Sequence, residues 1–135
     1  MRRLSDVVCR KHPFTMPSTM VRGACREMRE RRIGAILVTD QNGKLLGIFT
    51  GRDAVGRVLA LGRNGSRTKL EDVMTPNPTT IPPDKTAIDA LRLMWDGGSR
   101  HIPIVDDGGI TGGGDFHAFE AERLEEEREL WEHMR

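Results

Sequence analysis

Leu4, Asp6 and Val7 of the segment Leu-Ser-Asp-Val-Val return 66 residues later as Leu70, Asp72 and Val73. Pro13, Thr15 and Pro17 return at an offset of 65 as Pro78, Thr80 and Pro82. Ala24 and Met28 return as Ala90 and Met94 at 66, and Val38 returns as Val105 at 67. An offset that drifts so little marks a duplicated unit with small loop insertions, and a duplication restricts the fold to two copies of one supersecondary unit. In 135 residues each copy is too small to bury a comfortable core alone, so the two are expected to pack together as one pseudo-two-fold module.

Each copy reads as β-α-β-β-α, an α/β (mixed α+β) arrangement. In the first, a short strand over 14–16 ends at Pro17, and a helix follows with Val21, Ala24, Cys25 and Met28 at helical spacing. A buried strand over 35–39 turns through Gln41-Asn42-Gly43 into a strand over 44–49. Thr50-Gly51-Arg52-Asp53 then opens a helix to about 61, and a basic, Gly- and Ser-containing connector follows over 62–69. The second copy offers a strand over 79–81, a helix bearing Ile88, Leu91, Met94 and Trp95 with Asp84 as its N-cap, and a strand over 102–105. There the pattern breaks. From Val38 to Asp53 is 15 residues but from Val105 to Asp115 only 10, and the intervening Gly-Gly-Ile-Thr-Gly-Gly-Gly-Asp has five glycines and one apolar residue. No strand is expected there, because glycine is a poor strand former. The last helix, 116–133, is long and acidic, with a narrow apolar stripe of Phe116, Phe119, Leu124, Trp131 and Met134. The expected division is therefore 1–66 for the first repeat and 67–135 for the second, strand-depleted near 108–114 and ending in that helix.

Hydrophobic residues at 37% and charged residues at 30% fit a folded protein rather than a disordered one. No apolar run approaches the roughly 20 residues of a membrane helix, and Met-Arg-Arg-Leu-Ser-Asp-Val-Val has no signal-peptide core. Cys9 and Cys25 lack Cys-x-x-Cys spacing and read as thiols of a reducing cytoplasm. The net charge of +1 hides a division: residues 1–69 carry 15 Lys/Arg against 5 Asp/Glu, and residues 70–135 carry 6 against 15. A basic half attracts phosphates, nucleic acid or the acidic half of a second chain, and two chains placed head to tail would set unlike halves together. No Ser/His/Asp or paired-carboxylate constellation presents itself. The four histidines lack metal-ligand spacing, and the glycine segment matches no phosphate-loop pattern.

The sharpest local motif is Gly47-Ile48-Phe49-Thr50-Gly51-Arg52-Asp53. A hydroxyl and a carboxylate three residues apart at a helix start form a capping box, and they also suit the hydroxyls of a ribose beside free backbone N–H groups. With the duplication and the run Arg100-His101-Ile102-Pro103-Ile104-Val105, this motif resembles the CBS domain family, named after cystathionine β-synthase, from Leu4 to about Phe116. The resemblance implies a tandem pair that senses AMP, ADP, ATP, NAD(H) or S-adenosylmethionine, is usually dimeric, is regulatory, and carries no catalytic residues or catalytic cofactor. It implies ribose contacts for Thr50 and Asp53, an adenine edge at Thr15 and Met16, and cleft-lining backbone at Gly34, Ala35 and Ile36. In the second copy it points to Thr80, Ile81, His101, Ile102 and Pro103, with Asp115 as the motif acid. It implies phosphate contacts for Arg100 and His101, and for Arg32 and Arg52 in the first copy. The family pattern wants a hydroxyl three residues before Asp115, where Gly112 stands, and Thr111 is out of register. At most one tight site per chain is expected. Two other readings stand beside this one: a ligand-free dimerisation module with a degenerate second repeat, and a nucleic-acid binder, against which the scarcity of aromatic residues counts.

Overall fold

The computed structural model describes residues 2–6, 14–107 and 109–134, so Val7, Cys9, His12 and Pro13 lie outside the described residues. The chain divides into two compact units, one of residues 12–78 and one of residues 79–135 joined by 1–11.

The 12–78 unit is built on a four-stranded sheet in the order β1 (Phe14–Thr15), β2 (Ala35–Thr39), β3 (Leu45–Thr50) and β4 (Thr75–Pro76). β1 runs parallel to β2, and the other pairs are antiparallel. All five β2 residues are buried, as a continuous Ala-Ile-Leu-Val-Thr run requires of a strand covered on both faces. Helix α1 (Val21–Arg31) buries Val21, Ala24 and Met28 on one face and stops at Arg32, whose left-handed φ of 54° turns the chain into β2. The β2–β3 turn is held by Asp40, whose carboxylate accepts from the N–H groups of Asn42 and Lys44 at 2.8 and 2.9 Å, and Gly43 supplies the φ of 83°. Beyond β3, a single turn α2 (Gly51–Asp53) continues as a π-helix over Ala54–Leu59. Helix α3 (Leu70–Val73) places Leu70 and Val73 in the same core as Ile36, Val38 and Phe49.

In the other unit, a 3₁₀ turn over Leu4–Asp6 seats Leu4 in a core with Ile81, Ala90, Met94, Ile102, Ile104 and Phe119. Its elements are α4 (Ala87–Gly97), β5 (His101–Asp106), β6 (Gly109–Asp115) and α5 (Phe116–His133). The expected strand at 79–81 is reduced to a parallel bridge between Ile81 and Ile104.

β6 corrects the sequence reading. The glycine segment is a strand, paired antiparallel with β5 along its length. Its register reproduces β2–β3: Ala35 faces Thr50 and Val38 faces Gly47, while His101 faces Asp115 and Ile104 faces Gly112. The same irregularity follows in both, between Val38 and Thr39 and between Ile104 and Val105. Val38 to Gly47 is 9 residues and Ile104 to Gly112 is 8, so the second copy has lost one residue, in its turn. The apparent gap of five came from equating Asp115 with Asp53; Asp115 occupies the place of Thr50.

Three smaller expectations also change. The N-cap of α4 is Thr86 rather than Asp84, because Asp89 three residues on completes a capping box with it. Trp95 points to solvent, 81% exposed, while Ala87, Ala90, Leu91 and Met94 make the buried face. In α5 only Phe119 of the expected stripe is buried with Phe116 against it; Leu124, Trp131 and Met134 are exposed.

Candidate functional site

The β3–α2 junction of the first repeat brings together Gly34, Ala35, Thr50 and Asp53. Ala35 faces Thr50 in the sheet, and the Gly51 N–H donates to the Gly34 carbonyl at 3.1 Å. The Asp53 carboxylate accepts through one oxygen, Oδ2, from the Thr50 N–H at 2.9 Å and the Thr50 hydroxyl at 3.1 Å. The Asp53 N–H donates to Thr50 Oγ1 at 3.3 Å, closing the box. The other carboxylate oxygen, Oδ1, meets Arg57 Nε at 3.6 Å. Arg57 also donates to the carbonyls of Val73 and Met74 at 3.3 and 2.9 Å, so it anchors α3 as well as steadying Asp53. Asp53 is buried. A carboxylate so held is fixed in direction and has acceptor capacity left on Oδ1.

The capping box alone does not distinguish this place. Thr86 and Asp89 repeat it at the start of α4 with nearly the same lengths, 3.0, 3.1 and 3.3 Å. What distinguishes Asp53 is its burial, its Arg57 partner and its position where a sheet strand ends.

The remaining candidates fall into two groups. Ala35, Ile36, Ile81, Ile102 and Pro103 are buried. Their side chains serve the cores and leave only backbone to meet a ligand. Arg32, Arg52 and Arg100 are exposed, at the end of α1, within α2 and just before β5, and His101 is half-buried opposite Asp115. Thr15 stands level with Val38, three residues along β2 from Ala35, so it lies ~10 Å along the strands at ~3.3 Å per residue and two strand spacings of ~4.8 Å across from Thr50. Its hydroxyl bonds that of Thr19 at 2.7 Å, and Met16 beside it is 44% exposed, as is Phe14 at 64%. Thr80 is exposed.

In the second repeat the junction is chemically different. Asp115 is the N-cap of α5, and its Oδ1 accepts from the Ala118 N–H at 2.8 Å. By register Asp115 replaces the threonine, and Ala118 replaces the aspartate. The two residues of the motif are therefore both changed, and no carboxylate stands where Asp53 stands. Arg57 and Thr19 were missed in the sequence; the i,i+4 spacing of Asp53 and Arg57 was the available signal for the first.

No helix among the described residues is long and apolar enough to cross a membrane. The CBS domain model matches residues 4–60 and 70–112. A CBS domain-containing protein of Arabidopsis thaliana, CBSCBSPB5, is 42% identical over 98 residues, which cover 72% of this chain but 18% of that protein. The chain thus spans about a fifth of the length of the first curated relatives it matches. Among solved structures, an uncharacterised conserved protein from Pyrococcus horikoshii superposes with a TM-score of 0.80 at 30% identity, covering 90% of this chain and 92% of that one. The CBS domain pair of protein MJ0100, solved in complex with 5′-methylthioadenosine and S-adenosyl-L-methionine, superposes at 0.74 with 25% identity, covering 91% and 98%. Two matched segments, a repeated hairpin register and this likeness in sequence and fold agree: the chain belongs to the CBS domain family, as a tandem pair.

Proposed function

We propose that the chain is a cytoplasmic, non-catalytic regulatory module that binds an adenosine-containing ligand at the first repeat. The observation that carries this reading is the Thr50–Asp53 pair, a carboxylate fixed at a strand–helix junction with Oδ1 able to accept from ribose hydroxyls. The adenosine ligands bound by the related MJ0100 pair support the ligand class. Thr15 and Met16 then lie on the adenine side, and Arg32 and Arg52 supply positive charge for phosphates. The second repeat has Asp115 and Ala118 in place of threonine and aspartate, so one ribose site per chain is the reading. Binding becomes a signal through unequal affinity for two states of the module.

A thermal-shift panel of AMP, ADP, ATP, NADH and S-adenosylmethionine identifies the ligand, followed by titration calorimetry. Asp53→Ala is expected to weaken binding by ~1–3 kcal/mol, the cost of losing a charged acceptor. Asp89→Ala, which breaks the matching capping box elsewhere, is the control and leaves affinity unchanged. Equal affinity in folded Asp53→Ala, or titration to two equivalent sites, sinks the assignment. A second reading, a ligand-free dimerisation module, is favoured by exposed Trp95, Leu130 and Trp131. A dimer mass by light scattering together with a silent panel selects it.

A further inference from the structure

Helix α3 is only four residues long, and a single helical turn depends on what holds its two ends. At its start, the Leu70 and Glu71 N–H groups donate to the carbonyls of Thr19 and Pro17 at 2.9 and 3.0 Å. At its end, Arg57 Nη1 donates to the carbonyls of Val73 and Met74 at 3.3 and 2.9 Å. Both anchors belong to the candidate ligand site. Residues 17–19 follow directly on Thr15 and Met16, and the Thr19 hydroxyl bonds that of Thr15 at 2.7 Å. The guanidinium that holds the end of α3 also stands with its Nε 3.6 Å from Asp53 Oδ1, the carboxylate oxygen outside the capping box.

The duplication gives this helix position the same task twice. Arg57 lies seven residues after the cap Thr50, and Glu122 lies seven after the cap Asp115. Glu122 forms an ion pair with Arg2 at 3.3 Å, two residues before Leu4. In each copy, then, the position holds the segment that opens the other copy. Only the first copy sets an acid beside it, because Ala118 stands where Asp53 stands. We propose that Arg57 is a positioning residue of the Thr50–Asp53 site and the link by which a ligand on Asp53 tightens α3. A ribose hydroxyl donating to Oδ1 fixes the carboxylate, and the carboxylate fixes the guanidinium against the two carbonyls. Arg57 acts through Asp53 and does not itself hold the ligand. A short element biased from both ends is the two-state part that such coupling requires. The ligand half of the proposal rests on the adenosine reading, whereas the link from Asp53 through Arg57 to α3 stands without it.

Native-state hydrogen exchange on the full chain tests the link at the Met74 amide, bonded to the Leu70 carbonyl at 2.8 Å. The Ile33 amide, bonded to the Met28 carbonyl at 3.0 Å beyond α1, is the reference. Without ligand, Arg57→Gln is expected to lower Met74 protection relative to Ile33 at least fivefold. Asp53→Asn, which keeps the shape of the cap, should lower it at least threefold. The double variant should fall no lower than Arg57→Gln alone, because the acid acts through the guanidinium. Losses that multiply in the double variant, or unchanged Met74 protection in Asp53→Asn, overturn the proposal. At saturation with whichever of AMP, ADP, ATP, NADH and S-adenosylmethionine binds, wild-type Met74 protection should rise at least threefold relative to Ile33. Arg57→Gln should bind severalfold more weakly and show no rise, and a rise that persists in it overturns the link. If Arg57→Gln does not fold, Arg57→Met, which keeps the apolar stem, takes its place with the same expectations. Should none of the five bind the wild type, the adenosine reading fails and the ligand-free comparison alone decides the link.

Discussion

Phe49 and Gly114 hold the same place in the two hairpins, facing Ile36 and Ile102 respectively. Phe49 fills the first core; at Gly114 a Cβ would come within 2.8 Å of the Phe119 ring. Phe119 lies four residues after the cap Asp115, where the first copy has Ala54 four residues after Thr50. The aromatic ring has therefore moved from strand to helix, and the strand position has emptied to admit it. That exchange is why a glycine-rich segment still forms a buried strand: Phe119 supplies the apolar volume the strand itself lacks. Gly114→Phe is expected to destabilise by ~1–3 kcal/mol through overpacking and Phe119→Ala by ~3–5 kcal/mol through a cavity. The double variant should recover most of the loss, because it restores the first copy's arrangement. Urea melts in which the double variant is as unstable as the two losses added together would refute the exchange.

The two Thr-x-x-Asp boxes start α2 and α4, and the second offers a measure of what capping alone does. The Asp89 carboxyl is held below its ordinary value, first by the Thr86 N–H that it accepts from. A lowered folded pKa means stability present above the unfolded value, ~3.9, and lost as pH falls through the folded one. Asp89→Ala should therefore cost ~1 kcal/mol at pH 7 and progressively less below pH 4. Denaturant melts of both proteins at the two ends of that range check it, and an unchanged difference would mean the box contributes nothing through its charge. Helices were the legible elements: the buried face of α1 follows from 3.6-residue spacing, and α5 spans the expected 116–133 although its apolar stripe does not hold. β6 was not legible by propensity, because its apolar partner sits on another element. It was legible by duplication, since the offset of 65 that joins Thr15 to Thr80 also joins Thr50 to Asp115 and Gly47 to Gly112. The same miscounting hid that Ala118, with no acid, stands where Asp53 stands, so the sequence showed an altered second motif without showing which residue had changed.

The repeat and the compact unit are different objects. Leu4 leads the first repeat but is buried with Ile81, Ala90 and Met94 of the second, while Leu70 leads the second repeat and is buried with Val38 and Phe49 of the first. Backbone bonds reinforce each placement: the Leu4 N–H donates to the Lys85 carbonyl at 2.7 Å, and the Leu70 N–H to the Thr19 carbonyl at 2.9 Å. Each core is thus completed by the leader of the other repeat, and cutting the chain at the repeat boundary removes Leu70, Val73 and β4 from the first core. A fragment of residues 12–78 retains all of these, whereas a fragment of residues 1–66 retains a leader whose partners are gone. Both are small enough to be marginal, so the loss of two fully buried side chains, at ~2–5 kcal/mol for a leucine cut to alanine, is decisive. The 12–78 fragment should melt cooperatively with helical circular dichroism and dispersed amide resonances, and 1–66 should show neither. If 1–66 proves the better folded of the two, each leader belongs to the core of its own repeat.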